Sequence, residues 1–200
     1  MKPFDEYIDH LFTPLGVPSN RLKIFSCGHV IPDSNLLALC LGVGPNQIPL
    51  NYTFHNRNNC SMIEETGKTI GNLCSIIPGG IVCFFPSYDF EDNYYKIWLK
   101  SDIFKSIESK GKRVFREPKK ASQVSSILCE YSRAISVGKG ALLMCVVGGK
   151  MSEGINFSDD LGRAVIVVGL PYPNKNSVEL KEKINYFNQL KPNSGNVSKC

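Results

Sequence analysis

Two uninterrupted apolar runs constrain this chain more than any other feature. The first is Ala141-Leu142-Leu143-Met144-Cys145-Val146-Val147, and the second is Ala164 to Val168. Between them lies a polar, glycine-rich loop carrying Gly148, Gly149, Lys150, Ser152, Glu153, Gly154 and Asn156. A strand that is apolar at every position, not at every second one, must be covered on both faces. Short runs of this kind, bounded by glycine and proline, are the strands of an open α/β sheet. Such sheets bind ligands beyond the carboxyl ends of their strands, where the glycine loop begins.

The rest of the chain fits that plan. Ile81 to Phe85 is a third apolar run and reads as a central strand. Arg113 to Phe115 is a brief one. Helical spacing marks Met62 to Ile76, stopped by Pro78-Gly79-Gly80. Asp89 to Ser109, Ala121 to Val137 and Ser177 to Leu190 are further helices, the last with Ser177 as its cap. Strand and helix thus alternate from residue 80 onward, which predicts a parallel, doubly wound sheet. Upstream, residues 4–12 read as a short helix and Leu22 to Cys27 as a strand. Ser34 is placed to cap a helix over Leu36 to Leu41. Pro49 to His55 alternates like a half-buried strand.

Composition narrows the class. The 200 residues are 42% hydrophobic and carry a net charge of +5, with a mean hydropathy of −0.10. Those values describe one globular domain, or one domain with appendages. A mildly basic chain is compatible with a phosphate-bearing partner without requiring one. The eight cysteines include no C-x₂-C pair, which argues against a zinc site. Most lie in apolar runs, as in ALLMCVV, and are expected to be reduced, buried core thiols of an intracellular protein. No signal-peptide pattern or apolar stretch of membrane-spanning length is present, so the four N-x-S/T sequons read as chance matches.

Several short motifs carry chemistry. Gly67-Lys68-Thr69 ends like a phosphate loop, but the glycine required five residues before Gly67 is Met62. The segment is expected to be a surface turn of an amphipathic helix. The chain contains no other P-loop and no acidic box for Mg²⁺. Ser87, after Phe84-Phe85-Pro86, sits where a strand ends and a helix opens, so it can cap that helix beside N–H groups suited to phosphate. Gly148 and Gly149 allow a sharp turn, and Lys150 can neutralise a phosphate. His29 stands beside Cys27 without further metal ligands nearby. Lys110 to Lys120 is the densest basic run and reads either as a solvated face or as a nucleic-acid contact.

The stretch GGKMSEGINFSDDLGRAVIVVGLPYPN, Gly148 to Asn174, resembles motif V and its extension in XPD-like superfamily 2 DNA helicases. GGIVCFFPSY resembles motif IV of the same family. Asn156, where most of the family has Asp, the closing PYPN and the stretch Phe25 to Pro32 are most similar to the ChlR-type, cohesion-linked subgroup. The resemblance runs from residue 1 to about residue 190. It implies a C-terminally truncated second RecA-like domain at 21–191. Residues 1–20 would be a linker and short helix following motif III, and 192–200 a frayed tail. The missing helix and strand would leave an unpaired sheet edge or an uncovered apolar face.

The same resemblance implies the site. Ser87 and Tyr88 of motif IV would lie against single-stranded DNA. Gly149, Lys150, Ser152, Glu153, Gly154, Asn156 and Arg163 would couple nucleotide and DNA through motif V. At Arg163 an intramolecular ion pair stands as an equal alternative. The intact enzyme would be a nuclear, ATP- and Mg²⁺-dependent 5′–3′ DNA helicase of repair and cohesion, with the first RecA-like domain as partner. Its iron–sulfur cluster, phosphate loop, Mg²⁺ box and motif VI arginines would lie outside these residues, leaving this chain inactive alone. The competing readings are a non-catalytic paralogue that holds single-stranded DNA or a helicase's partners, and a fragmentary gene product.

Overall fold

A computed structural model describes residues 18–23, 25, 27, 28, 30–152, 155–171 and 177–190. The chain divides into two units, Met1–Cys40 and Leu41–Cys200. The second holds the sheet. Its strands are β1 (Gly80–Phe85), β2 (Lys112–Arg116), β3 (Gly140–Val146) and β4 (Ala164–Val167). They run parallel in the order β2-β3-β1-β4. The helices are α1 (Cys60–Ile76), α2 (Tyr88–Lys100), α3 (Ile103–Ser109), α4 (Val124–Ser136) and α5 (Val178–Leu190). This is the expected RecA-like α/β architecture.

Alternate residues of the two central strands point to opposite faces. Ile81, Cys83 and Phe85 of β1, with Leu142 and Met144 of β3, pack in one cluster with Ile63 and Ile70 of α1, Tyr94 and Trp98 of α2 and Ile107 of α3. Val82, Ala141, Leu143 and Cys145 pack in a second cluster with Tyr131 and Ala134 of α4. Both faces of β1 and β3 are therefore covered, which is why those strands are apolar throughout. Phe85, Phe90, Tyr94 and Trp98 form an edge-to-face and stacked aromatic series, and the Trp98 indole N–H donates to the Ile63 carbonyl at 2.7 Å.

Several sequence expectations are corrected. Ala164 to Val168 is not a buried run throughout. β4 pairs only with β1 among the described residues, and Val165 and Val167 are 61% and 54% exposed while Ala164 and Ile166 are half-buried. Apolar residues at every position cannot distinguish a central strand from an edge strand. Asp89 to Ser109 is two helices, broken at Ser101-Asp102, where Asp102 adopts φ 57°. The three residues Ala121–Gln123 form a 3₁₀ turn before α4.

Pro49 to His55 forms no strand. Pro49 makes one isolated antiparallel bridge to Val43. The Asn51 side chain then accepts from the Thr53 N–H at 3.1 Å, and the Thr53 carbonyl accepts from Asn56 and Arg57. Local turn chemistry takes the backbone groups a ladder would need. Leu50 and Tyr52 nonetheless pack on the core.

In the first unit the described residues of Leu22 to Cys27 carry no strand. Asp33–Asn35 is a 3₁₀ turn, Leu36 is extended, and Leu36 to Leu41 carries no helix. Leu36 to Leu41 is apolar all round, with no polar face to orient a helix, and so short a helix is not stable by itself. Residues 4–12 and His29 lie outside the described residues. The thiol expectation is also corrected. Cys74, Cys83 and Cys145 are buried, but Cys27, Cys40, Cys60 and Cys129 are exposed.

Candidate nucleic-acid interface at the carboxyl rim of the sheet

β1 and β3 run side by side and end together, with Phe85 in register with Val146. Whatever follows them shares one rim of the sheet. After β1 comes Ser87, the N-cap of α2, whose hydroxyl accepts from the Phe90 N–H at 3.3 Å. Tyr88 follows as the first helical residue, partly exposed. After β3 comes the glycine turn. Gly148 takes φ +69°, a conformation that favours glycine, and the Gly149 N–H closes the turn on the Val146 carbonyl at 2.9 Å. Lys150 is exposed at its tip. The Ser152 hydroxyl returns to the Gly149 carbonyl at 2.9 Å.

The two loops meet. The Lys150 ammonium donates to the Tyr88 hydroxyl at 3.2 Å and lies 5.0 Å from the centre of its ring. The structure thus brings Ser87, Tyr88, Gly149, Lys150 and Ser152 to one edge. Asn156 is exposed in the segment that leads on to β4. Arg163 lies elsewhere. It directly precedes β4, its N–H donates to the Gly80 carbonyl at 2.9 Å, and it belongs to the amino-terminal rim. Its backbone therefore helps start the sheet. Glu153 and Gly154 lie outside the described residues.

Sequence reasoning missed Glu117. It follows β2 directly, and its N–H extends the ladder to the Met144 carbonyl at 2.8 Å. Its carboxylate accepts from the Val146 N–H at 3.0 Å, the Lys150 N–H at 2.7 Å and the Tyr88 hydroxyl at 2.5 Å. A Cβ on Gly149 would stand 2.5 Å from one carboxylate oxygen of Glu117 and 2.6 Å from the other. The Val146 carbonyl oxygen would stand 2.8 Å from the same Cβ, so the turn's own backbone and the Glu117 side chain together require a glycine here. The available signal was a lone acid placed directly after a strand.

The basic run around it is mostly spoken for. The Lys110 ammonium donates to the Gly71 carbonyl at 3.0 Å, and the Lys112 ammonium to the Gly79 carbonyl at 2.6 Å. Burial holds Lys112 below the ordinary lysine range. Arg113 pairs with Glu130 at 3.1 Å. Arg116 forks onto Glu91 at 2.5 and 2.8 Å, reaches Asp92 at 3.2 Å and stacks 3.7 Å from the Tyr95 ring centre. Hydrogen bonds from Lys96 and Arg116 hold the Asp92 carboxyl below its usual value. Arg113 and Arg116 fasten helices to the sheet, whereas Lys110 ties the end of α3 to α1 and Lys112 ties β2 to the loop before β1. Only Lys119 and Lys120 are left exposed with no such partner among the described contacts.

Gly67-Lys68-Thr69 lies inside α1, which excludes a phosphate loop. The expectation of a surface turn is corrected for its neighbours. Glu65, Thr66 and Gly67 are buried, and Glu65 accepts from the Asn46 backbone and side-chain amides. Among the described residues no group of acids, histidines or cysteines could hold a metal ion. None of the described helices is long and apolar enough to cross a membrane.

A parallel sheet covered by helices, with a glycine turn and a capped helix side by side at its carboxyl rim, has the RecA-like α/β architecture. The helicase C-terminal domain family model matches residues 70–199, and the chain belongs to that family. It is 49% identical over 199 residues to the ATP-dependent DNA helicase DDX11 of Danio rerio, covering 96% of this chain and 22% of the relative. It is 47% identical over 184 residues to the ATP-dependent DNA helicase CHL1 of Scheffersomyces stipitis, covering 92% of this chain and 22% of that one. The chain therefore spans about a fifth of the length of these relatives. An XPD helicase structure superposes with a TM-score of 0.49 at 21% identity, over 78% of this chain and 24% of that one.

Proposed function

We propose that this chain is the C-terminal motor module of an ATP-dependent DNA helicase of the XPD/ChlR type, and that single-stranded DNA crosses the rim formed by Ser87, Tyr88 and Lys150. The observation that carries the reading is the meeting of the two loops, with Lys150 against Tyr88 at the shared ends of β1 and β3. A phosphate laid there meets an exposed ammonium and the amino-terminal end of α2. The Tyr88 ring adds a face for a base to stack on.

The residues described here do not fit Mg²⁺·ATP by themselves. Gly67-Lys68-Thr69 is helical, the Val146 and Lys150 N–H groups are taken by Glu117, and no acidic cluster is available for the cation. In this reading ATP sits at a cleft completed by a first RecA-like domain, and Glu153, Gly154 and Asn156 serve motif V there, while Arg163, on the amino-terminal rim, keeps the structural alternative. The intact protein moves 5′ to 3′ on DNA in the nucleus, in repair and cohesion. The 200 residues alone bind DNA weakly and do not hydrolyse ATP.

Titration of a labelled oligonucleotide into the full chain tests the binding half. Affinity should fall steadily as salt rises, because phosphate contacts release counterions. Salt-independent binding, or none at low salt, would remove the rim as a DNA site. Phosphate release above an enzyme-free blank would contradict the second half.

A further inference from the structure

We infer that Glu117 is a positioning residue for the DNA rim: its carboxylate locks the motif V turn and the motif IV tyrosine into one unit, and so aims Lys150 at the strand. The inference rests on the DNA-rim reading given under Proposed function.

The geometry is a closed circuit. One carboxylate oxygen accepts from the Lys150 N–H at 2.7 Å and from the Tyr88 hydroxyl at 2.5 Å. The other accepts from the Val146 N–H at 3.0 Å. The Lys150 ammonium then returns to the Tyr88 hydroxyl at 3.2 Å. Backbone and side chain of the same lysine are thereby held at two points, both running through Glu117. Gly149, where a Cβ would meet this carboxylate, leaves the room it needs. Glu117 stands directly after β2. Its part is to deliver a carboxylate 29 residues from Tyr88 and 33 from the Lys150 amide.

The sign of the effect makes the idea testable. Glu117 is an anion beside a surface that receives phosphates. By charge alone, its neutralisation should tighten DNA binding. By positioning, it should loosen it. A glutamine in its place offers one accepting oxygen for three donors, and its NH₂ group faces an N–H it cannot pair with. A charge-assisted hydrogen bond is stronger than a neutral one, so the turn loses its lock.

The experiment is a double-mutant cycle in the full chain with Glu117→Gln, Lys150→Ala and both together. Affinity for a fluorescein-labelled oligothymidylate is read by anisotropy at low salt. Lys150→Ala should weaken binding. Glu117→Gln should weaken it by about fivefold despite the lost negative charge. In the Lys150→Ala background the same change should shift affinity by less than about twofold, since there is no ammonium left to aim. Tighter binding by Glu117→Gln, or an equal loss in both backgrounds, overturns the inference while leaving the rim in place. No effect of Lys150→Ala removes the rim reading and this inference with it. Tyr88→Phe, which deletes only the shared hydroxyl, repeats the test if Glu117→Gln does not fold. It should weaken binding only where Lys150 is present, and an equal loss in both backgrounds contradicts the inference.

Discussion

Gly67-Lys68 and Gly149-Lys150 are the same dipeptide in two places, and the fold uses them in opposite ways. Gly67 is buried in the middle of α1. A Cβ there would stand 2.6 Å from an Ile103 methyl and 2.7 Å from the Trp98 indole nitrogen. Its job is to let two helices approach. Gly149 is buried too, but the neighbour it admits is the Glu117 carboxylate. Lys68 is one exposed residue of a helix, whereas Lys150 is tied to Tyr88 at a strand end. A glycine–lysine pair therefore says nothing about phosphate until its element is known. Within a helix the N–H groups are spent on the helix. At a strand end they are free for a carboxylate, a phosphate or a turn.

The largest effect that could break this contrast is on stability. Gly67→Val should cost about 3 kcal/mol, because the branched side chain meets Ile103 and Trp98 in a filled layer. Chemical denaturation would read it. A loss below about 1 kcal/mol would mean that α1 and α3 can slide apart, and that Gly67 is not a packing residue.

The same dry layer should show itself in alkali. Burial pushes the Cys74 thiol from 9.0 up to about 11. Between those values the unfolded chain has lost a proton that the folded chain keeps, so stability falls as pH rises. The loss should be on the order of 2 kcal/mol by pH 11, and it should shrink in Cys74→Ala. Lys112, held low by burial, works in the opposite direction over its own range and tempers the slope. A pH-independent midpoint from pH 9 to 11 would show that water reaches this layer.

A smaller effect belongs to the rim. Ser87→Ala removes the cap on α2 and should cost about 1 kcal/mol. The aromatic packing of Tyr94 and Trp98 keeps the helix in place, so the near-ultraviolet signal should survive. Its loss would mean that the cap, not the core, holds α2.

Legibility followed the same division. Elements set by their own residues could be read directly. The apolar runs gave β1 and β3, Ser87 and Ser177 cap the helices assigned to them, and Ser87 and Lys150 share a rim because each follows its strand. Elements set by neighbours could not. β4 looks like a central strand in sequence, yet its exposure depends on what pairs beyond it. Glu117 reads as an interruption in a basic run, because its partners lie far along the chain. Leu36 to Leu41 has helix-forming leucines, but no polar face to hold it as one.

The proposed function stands on the rim at the ends of β1 and β3 being a specific DNA site. Charge reversal tests it directly. Lys150→Glu should weaken single-strand binding by about tenfold or more at low salt, since it both removes a phosphate contact and adds a repulsion. Lys181→Glu, the same change on exposed α5, should cost less than about threefold. Equal losses from the two substitutions would reduce binding to diffuse basic attraction and contradict the account.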